Sequence, residues 1–286
     1  MGDRGMTERR NGRRHECVVV DLNTQRDFCD RGGAQPVANV DTLIPTLRRV
    51  VAWARRNCVP VISSMEAHRK RELSDSGYPV CCVDGTGGQR KVEFTVFPKH
   101  LQIEIDNTLS LPINLFQRYQ QVIFRKRADD LLSNPKADRL LTHLPVHELV
   151  IMGNGLESSV KALVLALRAR EKPVSVVVDA CGYWHKGTAD LALRQMAAKG
   201  AMLITVDDLV RRKLDRRLRS RYRITIRSRT STGATVAPNN NGLNGNGRNG
   251  CGDDGNGNGN GRAEHGSGAD AESSTDGTVG GNGGVS

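Results

Sequence analysis

Apolar residues in this chain fall into short uninterrupted runs, separated by stretches in which they recur every three or four positions. The runs are Cys17 to Val20, Val59 to Ser63, Gln121 to Phe124, Leu149 to Met152, Val174 to Val178 and Ala201 to Val206, and each reads as a buried strand. Between them, Leu43, Leu47, Val50, Val51 and Ala54 share one face of a helix that Asp41 is expected to cap. Pro135 opens another helical segment, and Val160, Leu163, Val164 and Leu167 mark a helix from Ser158. Leu191 and Met196 lie on a further helix, and Asp207 is expected to cap a final basic one. Strands without polar alternation, separated by helices, predict a parallel sheet covered on both faces. With right-handed crossovers this makes an α/β three-layer sandwich around a six-stranded, mostly parallel, Rossmann-like sheet.

The pattern stops at both ends. Residues 1–15 are polar and basic with no apolar run, so a signal peptide is not expected, and no segment is apolar enough for long enough to cross a membrane. From Ser231 to Ser286 the chain is dominated by Gly, Asn, Asp and Ser, a composition that cannot bury enough apolar surface to offset its ordering entropy. The expected organisation is therefore a disordered basic N-terminus (1–15), one folded domain (16–217), a basic extension (218–230) and a disordered Gly/Asn-rich tail (231–286).

The net charge of +11 is uneven. Arg211 to Arg229 holds ten basic residues against one acid, whereas the tail from Ser231 is acidic on balance. Apart from Tyr222 the basic block has no interleaved aromatic residue and no recognition module, which argues against nucleic acid as the main partner. Seven cysteines, an odd number without a CxxC pair, fit reduced thiols in the cytoplasm better than a disulfide framework.

Ligands of open α/β sheets sit beyond the carboxyl ends of the strands. Those ends carry Asp21 and Asn23, Glu66 and His68, Lys126, Gly155 to Ser159, and Asp179. The stretch His147 to Lys172 passes from strand through Gly153-Asn154-Gly155 into a helix, with Glu157, Ser158 and Ser159 at its start. Such a unit presents a reactive group or captures an anion, or the glycines simply permit a tight turn and the serines cap the helix. Gly85 to Gly88 lacks the strand and helix context of a phosphate loop, and neither GxGxxG nor G-x-S-x-G occurs within 16–217; the GxGxxG matches at 245–250 and 250–255 fall in the Gly/Asn-rich tail, with no strand pattern before them and no helix pattern after.

TQRDFCDRGG (24–33), the ARRNCVPVIS continuation of the first helix, YPVCCVDGTGG (78–88), the lysine after the third strand, the GNGLESSV turn and the VVVDAC strand occur in one order and spacing. In these the chain resembles the isochorismatase-like cysteine hydrolase superfamily, which includes nicotinamidases. The resemblance implies that fold and a site built from an aspartate, a lysine and a cysteine, with a backbone oxyanion hole near the turn. Carried over residue by residue, the aspartate falls on Asn23, the lysine on Lys126 and the nucleophile on Ser159. Asp21, two residues before Asn23 and on the same strand face by the period of two, is the nearest acid. Phe28, Asn154 and Gly155 would line the substrate pocket.

Both changes weaken the chemistry. An amide cannot take a proton as a carboxylate does, and a serine hydroxyl has a far higher pKa than a thiol and needs an activating base. Cys181 follows a different strand. The resemblance also implies a divalent metal such as zinc, at positions that here read Glu66, His68 and Cys81. Two functions remain open: a catalytically impaired small-molecule-binding protein, or an active hydrolase of a small amide using metal-activated water or Ser159 with Lys126. A homo-oligomer is also implied by the resemblance.

Overall fold

The computed structural model describes residues 15–70, 80–106, 108–112 and 114–214. The expectations for the N-terminus, for Pro79, for the end of the basic helix, for the basic extension and for the tail lie outside these residues.

Seven strands form one sheet: β1 (His15–Leu22), β2 (Val61–Glu66), β3 (His100–Ile103), β4 (Gln121–Lys126), β5 (Val146–Asn154), β6 (Val174–Gly182) and β7 (Met202–Ile204). Their order is β3-β4-β2-β1-β5-β6-β7, and every pairing is parallel. The six apolar runs are β1, β2, β4, β5, β6 and β7. The seventh strand is β3, whose sequence HLQI is short, partly polar and half exposed at the sheet edge, so it carries no buried-strand signature. Short strands at both edges leave little unpaired backbone for another chain to add to.

Among the described residues the helices are α1 (Arg26–Cys29), α2 (Val40–Asn57), α3 (Leu115–Arg118), α4 (Pro135–His143), α5 (Lys161–Ala169), α6 (Lys186–Ala198) and α7 (Val206–Arg211). Helix α2 buries Leu43, Leu47, Val50, Val51 and Ala54 as the periodicity requires. Two expected caps are corrected. Asn39 precedes α2, and Asp41 sits in its first turn, paired with the exposed Arg31. For α7 the cap is Thr205, in a reciprocal box with Asp208, while Asp207 pairs with Arg49. Thr205 wins because only the residue before the first turn has the extended backbone that turns its oxygen onto the free N–H groups.

The pleat sorts β1 between two cores. Val18, Val20 and Leu22 pack with Ala137 and Leu141 of α4, Leu163 and Leu167 of α5, and Ala192 and Met196 of α6. Cys17 and Val19 pack with Leu43, Leu47 and Val50 of α2 and with Leu209 of α7. This alternation decides which polar side chains at the strand ends can meet. Among the described residues no helix is long and apolar enough to cross a membrane.

Candidate functional site

At the carboxyl edge of the sheet four side chains converge. Asn23 leaves the end of β1, Glu66 and Lys126 are register partners at the ends of β2 and β4, and Ser159 sits in the turn after β5. Glu66 Oε1 accepts from Lys126 Nζ at 2.9 Å and from Asn23 Nδ2 at 2.7 Å. Asn23 Nδ2 also donates to Ser159 Oγ at 3.0 Å, and Lys126 Nζ lies 3.5 Å from the same oxygen. All four are buried, Lys126 completely.

Asn23 is oriented without ambiguity. Its Oδ1 accepts from Ser64 Oγ at 2.6 Å, and a flipped amide would set an oxygen against the Glu66 carboxylate. Lys126 spends its three N–H groups on Glu66, on the Ala128 carbonyl at 2.8 Å and on Ser159. Burial pushes the Glu66 carboxyl upward, but the Lys126 ammonium and the His68 hydrogen bond outweigh it and hold the group down at about 2. Glu66 is therefore an anion clasped by donors on every side.

Ser159 lies in a wide helical turn, Leu156–Val160, in which Val160 N–H bonds the Gly155 carbonyl five residues back. The Asn154–Gly155 peptide is cis. Asn154 Nδ2 donates to the Asn23 carbonyl at 3.0 Å and to Cys29 Sγ at 3.1 Å, tying the turn to the residue that holds Ser159. Gly155 is required by close approach, since a Cβ there would stand 2.1 Å from the Trp184 ring. Trp184 packs edge-on against the buried Phe28, with centroids 5.5 Å apart, and its backbone N–H is held by Glu157 Oε1.

Asp21 is not in this group. Its carboxylate pairs with Lys91 Nζ at 3.0 Å and accepts from Thr24 Oγ1 and Ser63 Oγ, on the α2 side of the sheet. The expectation of a shared face fails because β1 ends at Leu22 and Asn23 has φ of 49°, which breaks the alternation between the two residues. The thiols are also accounted for. Burial pushes Cys29 and Cys181 up to about 12, so neither is a ready nucleophile.

Of the expected metal ligands, Glu66 and Cys81 come together with Cys82, their ligand atoms all within 4.8 Å of one another. His68 joins through Glu66, its Nε2 lying 3.0 Å from Oε2. The donor chemistry, one carboxylate and two thiols with an imidazole beside them, suits a divalent thiophilic ion such as zinc. Such an ion would compete with Lys126 and His68 for the Glu66 carboxylate. Sequence reasoning passed over Cys82, although the doubled cysteine stands in the sequence. It also passed over Lys91, Ser64 and Trp184, whose roles depend on which face of the sheet they reach.

The isochorismatase domain family matches residues 17–208 of the chain. The nicotinamidase of Escherichia coli (strain K12) is 26% identical over 205 residues, which are 67% of this chain and 94% of that protein. Among solved structures, the pyrazinamidase of Pyrococcus horikoshii in complex with zinc aligns with a TM-score of 0.52 at 22% identity, over 66% of this chain and 99% of that one. PnC1 from L. infantum in complex with nicotinate aligns with a TM-score of 0.52 at 14% identity, over 67% and 93%. At these identities the two structures speak for the fold.

Proposed function

The chain belongs to the isochorismatase family, and from that premise we propose that it is a nicotinamidase-like protein that binds a small amide or acid but cleaves amides poorly. One observation carries this reading: both hydrogen bonds at Ser159 Oγ place a donor against it. Acyl transfer needs the nucleophile to lose a proton as it attacks the carbonyl. Asn23 presents its NH2 to the hydroxyl, not a lone pair, and Lys126 has no free lone pair while three acceptors hold its ammonium. Among the described residues no side chain accepts from Ser159, so the hydroxyl is a polar contact for a ligand and not an activated nucleophile.

What the pocket retains is recognition. The Ser159 hydroxyl, the Trp184 ring beside Phe28 and the Gly155 turn would offer a planar ring an apolar wall and a polar end. The nicotinate in the PnC1 complex supports this ligand class. A cytoplasmic setting is supported by the buried thiols Cys17, Cys29, Cys81, Cys82 and Cys181, which form no disulfide with one another.

A second reading, metal-assisted hydrolysis, is favoured by the cluster of Glu66, Cys81 and Cys82 and by the zinc in the P. horikoshii structure. Those residues would hold the ion, which when bound supplies Lewis-acid polarisation. The test is ammonia release from nicotinamide, pyrazinamide and a panel of simple amides, alongside calorimetric titration with nicotinamide and nicotinate. The proposal expects binding without turnover beyond that of S159A. Robust turnover abolished by S159A would overturn it. Turnover that survives S159A but disappears with H68A or a chelator would establish the second reading.

A further inference from the structure

We infer that the ligand of this pocket is a carboxylate, bound in preference to the matching carboxamide, and that Ser159 makes the choice because its hydroxyl is fixed as a donor. The inference deepens the reading above and rests on it for the existence of a small-molecule site.

A serine oxygen carries two lone pairs and one proton. At Ser159 both lone pairs face donors, Asn23 Nδ2 at 3.0 Å and Lys126 Nζ at 3.5 Å. Neither contact can reverse its direction. Asn23 is locked by Ser64, from which its Oδ1 accepts at 2.6 Å, and by its bond to Glu66 at 2.7 Å. The Lys126 ammonium has donors and no acceptor. The Ser159 proton is therefore left for a third partner, and among the described residues no atom accepts it. Ser159 is 1% exposed, and a buried donor without an acceptor is unfavourable. A ligand that brings an acceptor removes that cost.

The acceptors beside Ser159 are already engaged. Glu66 Oε1 takes Lys126 and Asn23, Glu66 Oε2 faces His68, and Asn23 Oδ1 takes Ser64. A carboxamide placed against Ser159 can accept through its carbonyl, but its NH2 meets donors and spent acceptors. A carboxylate offers only acceptors, and its bond from a hydroxyl is charge-assisted, shorter and stronger than the bond to a neutral carbonyl. The Glu66 charge is matched by Lys126 at 2.9 Å, which limits its repulsion of a second anion. A carboxylate at residue 23 would instead accept the Ser159 proton, so the amide at that position is what turns the hydroxyl outward.

The test is calorimetric titration of the full chain at pH 7 with three acid and amide pairs: nicotinate and nicotinamide, pyrazinoate and pyrazinamide, benzoate and benzamide. A chelator is present, so that no acid gains by ligating a metal. We expect each acid to bind about tenfold or more tighter than its amide, the range of one charge-assisted hydrogen bond. S159T, which keeps the hydroxyl, should keep the preference, and S159A should bring each pair near parity. S159G replaces S159A if the latter does not fold. Wild-type protein that binds the amides as tightly as the acids, or tighter, overturns the inference and leaves the functional reading standing. An acid preference undiminished without the hydroxyl also overturns it, because the Lys126 charge alone would then account for the choice. Failure of every acid and every amide to bind overturns the functional reading, and this inference with it.

Discussion

Asp21 and Asn23 stand two residues apart at the end of β1, yet they serve opposite faces of the sheet. Asp21 belongs to the α2 side, where Ser63, Thr24 and Lys91 surround it. Asn23, turned by its left-handed backbone, reaches Ser64, Glu66 and Ser159 on the other. Two buried ion pairs, Asp21–Lys91 and Glu66–Lys126, are thereby built within a few residues of each other and kept apart by the sheet.

The first pair is expected to be structural. Lys91 and Asp21 are 2% and 1% exposed at the side chain, so removing one partner strands the other charge out of water. We expect K91M to lose about 3–5 kcal/mol of unfolding free energy. D21N/K91M, which removes both charges, should lose clearly less. Denaturant titration of the three variants measures this, and equal losses in the single and double variants would show that the charge pairing is not what matters there.

The second pair makes stability depend on acid. The Glu66 carboxyl is held at about 2, below the ordinary 4.5. A depressed folded-state value means that the unfolded chain takes up the proton first. The stabilisation is therefore complete above about pH 4.5 and is lost as pH falls toward about 2. By linkage it amounts to something on the order of 3 kcal/mol. Asp106, held down first by its hydrogen bond from Lys136, titrates over the same range. The comparison is accordingly with E66Q in metal-free buffer: wild-type stability should fall more steeply between pH 4.5 and 2 than that of the variant. Parallel curves would remove Glu66 from the account.

Much of this was legible in the sequence because the sheet's interior runs are apolar without alternation and α2 has a clean periodic face. The four site positions, Asn23, Glu66, Lys126 and Ser159, were likewise legible from the ends of four strands. What the sequence hid were relations that depend on a single backbone angle or side-chain reach. The φ of Asn23 decides that Asp21 is excluded. The register of β2 against β4 decides that Glu66 meets Lys126. Cys82 joins Glu66 and Cys81 although neighbouring residues of an extended chain point apart, because its own φ is 49° and the chain turns there. The strand β3 escaped for a different reason: an edge strand is half solvated, and its residues need not be apolar.

The metal set can be read by spectroscopy. If Cys81 and Cys82 both ligate, cobalt(II) should give an intense near-ultraviolet thiolate-to-metal band that weakens in C81S and again in C82S. H68A should leave that band while altering the weaker visible transitions. Its hydrogen bond with Cys81, and then burial, keep the Cys82 thiol well above its ordinary range. Loading must then release protons, and affinity should rise with pH. A cobalt spectrum unchanged by either serine substitution would exclude the thiols.

Revival of amide cleavage should require two changes. S159C restores a sulfur nucleophile, but with Asn23 still presenting its NH2 to residue 159 the thiol has no base. N23D/S159C adds the base. We expect ammonia release from nicotinamide to rise from S159C to N23D/S159C by about a hundredfold or more, the effect of a positioned general base. Measuring kcat and KM separately places the gain: a restored base should raise kcat, whereas a repaired binding pocket would lower KM and leave kcat where it was.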